Sequence, residues 1–386
     1  MNALKKSRIL LKIFVFGCLC MQSVFAQPGS GETLENKILA IMQENKAVGL
    51  AVAVVKNGEL DYVNSFGYQH IEKQKPLEID HVFRIASISK SFTSTGIMQL
   101  IEKGHFTLDS DFSDLVGFTV RNPHFPEEVI TLRMVLSHTS SINDSQGYFK
   151  LDVIDPGKNP EWQKSYNDYK PGTQYQYCNL NFNLAGAVIE RYSEERFDQY
   201  IVNHILNPLG LYGGYCIDSL NSELFAALYA YNKDKDVFTE SVDAYHPRRE
   251  ELKTYKNGYS APIFSPTGGM KISAPDLAKY MIMHMNFGTA NGKRIISANS
   301  AREMQTPVLA SSQYGLALSK VKNYIEGEEL VGHTGSAYGL YSNLFFHPEK
   351  KFGIVLITNG CVEVYDQSYV KLLKDVANLI YEERIR

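Results

Sequence analysis

A serine three residues ahead of a lysine is a small arrangement that makes a hydroxyl nucleophilic without histidine. On a helix the two side chains share a face. A lysine shut away from water gives up its proton readily and can then take one from the serine. The serine attacks a carbonyl carbon and carries the acyl group. The chain has this spacing at Ser87/Lys90, Ser319/Lys322 and Ser368/Lys371, so the surroundings must choose among them. Ser319/Lys322 stands in an alternating segment beside other lysines. Ser368/Lys371 falls in Tyr365 to Glu383, which reads as a final helix. Solvated polar pairs account for both. Ser87 differs: extended Phe83-Arg84-Ile85-Ala86 precedes it, and Phe92, Ile97, Leu100 and Ile101 follow at helical spacing as far as Gly104, a natural stop. The pattern places Ser87 in the first turn of a helix that points into a core, where the helix dipole favours developing negative charge.

The elements around that helix come in two groups. Glu32 to Asn45 reads as an amphipathic helix. Val48 to Val55 and Glu59 to Phe66 read as strands joined by Lys56-Asn57-Gly58, a hairpin signal. Strands return at Leu330 to Thr334, Tyr341 to His347 and Phe352 to Asn359. Between the groups, Leu132 to Ser137 and Leu180 to Tyr192 read as helices, Gly157 to Pro160 and Asn207 to Gly210 as turns, and Ser273-Ala274-Pro275-Asp276 as a capping box for a helix through Met285. Early and late strands then form one sheet, and the middle forms a second lobe. Residues 27–104 and 275–386 make the α/β lobe and about 105–274 the helical lobe, with a cleft where they meet.

A serine-lysine pair needs a second proton carrier near the leaving group and N–H donors for the oxyanion. In Tyr177-Cys178-Asn179, positions i and i+2 of an extended loop project alike, so Tyr177 and Asn179 face one cleft while Cys178 points back. Tyr62/Asn64, Tyr255/Asn257 and Tyr341/Asn343 share the spacing. Gly332-His333-Thr334-Gly335-Ser336 closes a strand. Gly335 there lets backbone approach a ligand, and the N–H groups of Ser336 and Ser87 can face an oxyanion together.

In this order, Ser87-x-x-Lys90, Tyr177-x-Asn179 and His333-Thr334-Gly335 resemble the serine β-lactamase and penicillin-binding protein superfamily. The likeness is strongest to its class C β-lactamase-like branch of D,D-peptidases, D-aminopeptidases and esterases. Leu136-Ser137-His138-Thr139-Ser140, Pro266-Thr267-Gly268-Gly269-Met270 and Ala274-Pro275-Asp276-Leu277 add to the likeness. The resemblance implies an α+β fold: an antiparallel sheet flanked by helices, with an inserted all-helical lobe. It implies Ser87 as nucleophile, Lys90 as its proton acceptor and Tyr177 as an acid/base coupled to Lys90. Asn179 would hold the acyl side chain or orient Lys90. Ser87 and Ser336 would form the oxyanion hole, and His333 and Thr334 would meet the leaving-group side. His138 reads as a loop tether. Two departures stand out. His333 replaces lysine, and a neutral imidazole attracts a carboxylate poorly, which disfavours efficient β-lactam hydrolysis. Ser141 stands where relatives often have glycine, so the loop after His138 is expected to differ in shape.

The 386 residues, 44% hydrophobic and 21% charged, fit a globular protein with a large core. Residues 1–26 read as an export signal: a basic start, an apolar run from Ile13 to Met21, and Val24-Phe25-Ala26 before Gln27. Gly17-Cys18 offers a lipoprotein site as the lesser alternative. The segment carries Lys5, Lys6, Arg8 and Lys12 and no acid, so its removal makes the net charge of −3 more negative. That argues against nucleic acid or an anionic membrane as partner. Cys178, Cys216 and Cys361 read as buried thiols, with room for one disulfide, and no metal-ligand spacing occurs. No cofactor or metal is called for. The expected partner is a small-molecule or peptide acyl substrate. An acyltransferase, with the aromatic stretch from Leu211 to Tyr259 binding a hydrophobic acceptor, and a β-lactam-trapping receptor are the alternatives. No Gly-x-Ser-x-Gly points to an α/β-hydrolase.

Overall fold

Asn57 and Gly58 both adopt left-handed backbone, φ 55° and 80°, a two-residue turn whose twist suits an antiparallel hairpin. It joins β1 (Gly49–Lys56) to β2 (Glu59–His70). The computed structural model describes residues 32–386; the expected export segment, with Cys18, lies outside them. The sheet is completed by β3 (Lys75–Pro76), β4 (Ser319–Lys322), β5 (Glu329–Ala337), β6 (Leu340–His347) and β7 (Phe352–Gly360). Its order is β4-β5-β6-β7-β1-β2-β3. Every pairing is antiparallel, so the early hairpin and the late strands share one sheet through β1 and β7.

β1 is buried along all but its last residue, which is why it reads as an unbroken apolar run rather than an alternating one. The helices that matter to the site are α1 (Leu34–Glu44), α2 (Ser89–Glu102), α3 (Asn179–Ser193), α4 (Ala274–Met285) and α5 (Lys371–Ile380). Leu50, Val52 and Val54 of β1 pack with Ile38 of α1 and Val376 of α5. Ala51, Ala53 and Val55 share the opposite core with Phe92 of α2 and Met281 of α4. Each fully buried Val or Leu contributes about 1.5–3 kcal/mol, so the sheet is held from both faces. From Leu34 to Arg386 the chain is one compact unit.

α2 reaches its place through a short antiparallel sheet. Phe83–Arg84 pairs with Lys271–Ile272, which also pairs with Gly213–Gly214. A 3-10 turn, Ala86–Ile88, then leads directly into α2, so Ser87 sits in the turn before the α-helix rather than in its first α turn. Residues 105–274, expected to be all helical, hold helices and also short strands, including the pair Tyr229–Asn232 and Val237–Glu240.

Two local expectations need correction. Tyr365 to Glu383 is not one helix: Tyr365–Asp366 pairs with Tyr369–Val370 around Gln367 at φ 56°, and helix begins only at Lys371. Ser368 therefore lies in a turn, off the helix that carries Lys371. Asn207 to Leu209 is the last helical turn of a segment that Gly210 stops at φ 67°, so Pro208 lies on helix rather than in an open turn. Cys178, Cys216 and Cys361 are buried free thiols. Among the described residues no helix is long and apolar enough to cross a membrane.

Candidate active site

Lys90 is fully buried and its Nζ has three oxygen neighbours: Ser87 Oγ at 3.1 Å, Asn179 Oδ1 at 2.9 Å and the Thr267 carbonyl at 2.9 Å. Asn179 Oδ1 and the Thr267 carbonyl only accept. A neutral amine that donates its two N–H bonds to them has only its lone pair left, aimed at the Ser87 hydroxyl. Burial lowers the Lys90 pKa to about 7, with Asp144 and then Cys178 opposing the fall. Geometry and desolvation thus agree on a lysine able to take the serine proton near neutral pH.

The α2 sequence accounts for this burial. Small polar residues surround Lys90, and most of their hydroxyls are satisfied internally: Ser91 Oγ donates to the Ile88 carbonyl, Thr95 Oγ1 to that of Ser91, and Thr93 Oγ1 to that of Pro266. These bonds let the helix be buried almost all round, although Ser94 Oγ is buried without a partner among the described residues. The segment from Pro266 to Met270 lies against the start of α2, where the Met270 N–H donates to Ser89 Oγ. Ala86, just before Ser87, holds left-handed backbone at φ 48°, a strained conformation for a residue with a side chain.

Asn179 opens α3, and the preceding residue offers no side-chain cap. Asp144 caps the helix from another loop. Its carboxylate accepts the N–H groups of Asn179 and Leu180, at 2.8 and 2.9 Å, and the Asn179 side-chain amide at 3.0 Å. An anion at a helix N-terminus is favourable, and the last bond fixes which way the Asn179 amide points. With Nδ2 on Asp144, Oδ1 faces Lys90 and also accepts from Thr267 Oγ1. The Asn179 amide oxygen is thereby held 2.9 Å from Lys90 Nζ. Nothing in the spacing of the sequence pairs Asp144 with Asn179; its place soon after the His138 segment was the only signal.

Tyr177 and Asn179 line one pocket with Ser87 and Ser336, while Cys178 is buried beneath them. The Tyr177 ring lies 4.7 Å from Lys90 Nζ, and its hydroxyl is buried without a hydrogen-bond partner among the described residues. Burial pushes its pKa far up; the Ser87 side chain lowers it in part, a polar influence short of an ordinary hydrogen bond. Lys90 rather than Tyr177 is therefore the group that can be unprotonated at neutral pH. His138 tethers the loop: its Nδ1 accepts the Cys178 N–H at 3.1 Å. Ser141 takes left-handed backbone at φ 63°, the conformation a glycine would hold, and its Oγ accepts from Asn122.

The pocket that holds Ser87 has a volume of about 450 Å³, with Tyr148, Phe149 and Tyr338 as aromatic walls. These rings were not found from sequence, because they come from separate loops. The aromatic stretch from Leu211 to Tyr259 does not line it; Tyr215, Tyr229 and Ala244 of that stretch are core. His333 and Thr334 line a neighbouring chamber of about 300 Å³ that shares Tyr177 and adds Tyr175 and Tyr314. His333 Nδ1 lies 2.5 Å from the Thr334 carbonyl and Nε2 3.1 Å from the Tyr314 hydroxyl. The carbonyl can only accept, so Nδ1 carries the proton and Tyr314 donates to Nε2. Burial first, then the nearness of Lys90, brings the His333 pKa down to about 4; this imidazole is neutral. Gly335 lines neither chamber. A Cβ there would stand 2.3 Å from the Ile85 carbonyl and 2.4 Å from Ser342 Oγ. The glycine lets β5 approach the backbone just before Ser87, not a ligand.

Comparison with known proteins agrees with this architecture. The profile of the family described as Beta-lactamase matches residues 34–377. Penicillin-binding protein 4 of Amycolatopsis lactamdurans is 26% identical over 362 residues, covering 88% of each chain. The chain spans about 60% of the length of the Protein flp relatives it matches in Staphylococcus aureus, such as that of strain MRSA252. The octameric penicillin-binding protein homologue from Pyrococcus abyssi superposes with a TM-score of 0.71 at 26% identity, over 92% of this chain and 77% of that one. The D-amino acid amidase from Ochrobactrum anthropi SV3 does so at 0.70 and 21%, over 90% and 98%, which shows the shared fold.

Proposed function

The chain belongs to the beta-lactamase family, and on that footing we propose that it is a serine acyl hydrolase working through an ester on Ser87. The three oxygen neighbours of Lys90 Nζ carry this reading. Ser87 Oγ bonds to the substrate carbonyl carbon as its proton passes to the Lys90 lone pair. The oxyanion is met by the N–H groups of Ser87 and Ser336. The carbon–leaving-group bond then breaks, and the leaving group takes a proton from Lys90 by way of Tyr177. Water attacks the Ser87 ester, Lys90 takes a proton from it, and the acid departs as Ser87 regains its own. His333 and Thr334 border the leaving-group side. The substrates are esters or amides, D-amino-acid peptides among them.

A second reading passes the acyl group to an alcohol or amine. The chamber beside Tyr177, lined by Tyr175 and Tyr314, favours it, because an acceptor seated there would compete with water. Turnover of a short-chain nitrophenyl ester, alone and with added alcohol or amine, tests both readings. Hydrolysis that disappears in Ser87→Ala is expected; turnover retained in that variant would overturn the assignment.

A further inference from the structure

Arg84 is the charged side chain of the Ser87 pocket that this chemistry leaves unused. It lines the pocket and is 8% exposed. Its Nε donates to the Gly268 carbonyl at 2.9 Å and Nη1 reaches that of Ala244 at 3.5 Å, which leaves Nη2 free of protein acceptors among the described residues. The guanidinium lies 5.0 Å from the Tyr338 ring. Among the described residues it pairs with no carboxylate, and its chief electrostatic neighbours are tyrosines and Arg248. A guanidinium cannot shed its charge at ordinary pH, and leaving that charge buried without a counterion is costly. Asp144 does not supply one. Its oxygens accept from Asn179, Leu180 and Cys178.

The pocket wall thus presents a charge in want of a partner, on the side lined by Asn179, Ser336 and Tyr338 rather than beside His333 and Thr334. We propose that the Ser87 pocket selects acyl groups that end in an anion, such as the free carboxylate of a dicarboxylic acid half-ester or half-amide, with Arg84 as the group that reads it. The aromatic walls Tyr148, Phe149 and Tyr338 would enclose the methylene chain between the reacting carbonyl and the charge. This inference rests on the Ser87 acyl-enzyme reading.

The test compares two nitrophenyl esters of equal chain length, the adipate half-ester and the neutral hexanoate. The adipate is expected to have the higher kcat/KM, by about tenfold, as befits a charge-assisted contact with a buried guanidinium. Raised salt should shrink the ratio, Arg84→Met should bring it toward one, and Arg84→Lys should keep part of it. Equal or better use of hexanoate by the unaltered protein, or a ratio untouched by Arg84→Met, overturns the inference while leaving Ser87 chemistry standing. If Arg84→Met does not fold, the ratio in the unaltered protein decides, together with whether free adipate inhibits competitively and hexanoate does not. Absence of turnover on both esters would sink the acyl-enzyme reading itself.

Discussion

The two chambers that share the Tyr177 wall differ in the charge they hold out of water. On one side stands Arg84, a cation without a carboxylate partner among the described residues, beside Asn179, Ser336 and aromatic rings. On the other stands His333, buried, its pKa near 4, with both ring nitrogens engaged by the Thr334 carbonyl and Tyr314. Lys90 depresses the His333 pKa further. A second permanent cation on that side would depress Lys90 in turn, whereas a neutral imidazole spares it. The contrast teaches that buried charge is placed on one side only: the Ser87 chamber holds the unpaired Arg84, while the charge lining the His333 chamber, Lys320, is half-exposed and paired with Glu329.

The sharpest way to break this division is to disturb what sets Lys90. Asp144 holds the Asn179 amide in place and opposes the fall of the Lys90 pKa. Asp144→Asn should lower kcat/KM by about tenfold to a hundredfold, the scale of a hydrogen bond to a charged group. It should also move the rising limb of the pH profile, which reports loss of the Lys90 proton, to lower pH. The sign follows from the chemistry: removing a nearby anion disfavours the protonated amine, so its pKa drops below about 7. A merely structural role for Asp144 would reduce the rate and leave the limb where it was. A smaller effect is expected from putting a buried charge in place of the neutral His333. His333→Lys should raise the preference for a leaving group that bears a carboxylate by a few-fold, roughly the worth of a partly solvated ion pair. Measured kcat/KM ratios for esters with charged and neutral leaving groups check this; an unchanged ratio would mean the chamber does not hold the leaving group.

How much of this was legible depended on how far apart the partners lie in sequence. Ser87 and Lys90 declared themselves because helix periodicity brings them together. The Asn57-Gly58 hairpin did so because its residues suit a left-handed turn. Tyr177 and Asn179 were readable as a pair for the same local reason. Asp144, Thr267, Tyr314 and Arg84 were not, since their roles depend on which loops the fold brings to the cleft. Gly335 was read as room for a ligand, but the space it leaves is filled by the Ile85 backbone, which only tertiary packing reveals. The pattern beginning at Tyr365 suits a helix; cross-strand pairing of Tyr365 with Val370 overrides it.

The most direct measurement is the intact mass of the protein quenched during turnover of a nitrophenyl ester, followed by peptide mapping. The account predicts one added acyl group, on Ser87, that forms and decays at rates compatible with turnover and is missing from Ser87→Ala. An acyl group on another residue, or turnover with no covalent species under conditions that accumulate the acyl form of a related hydrolase, would contradict it.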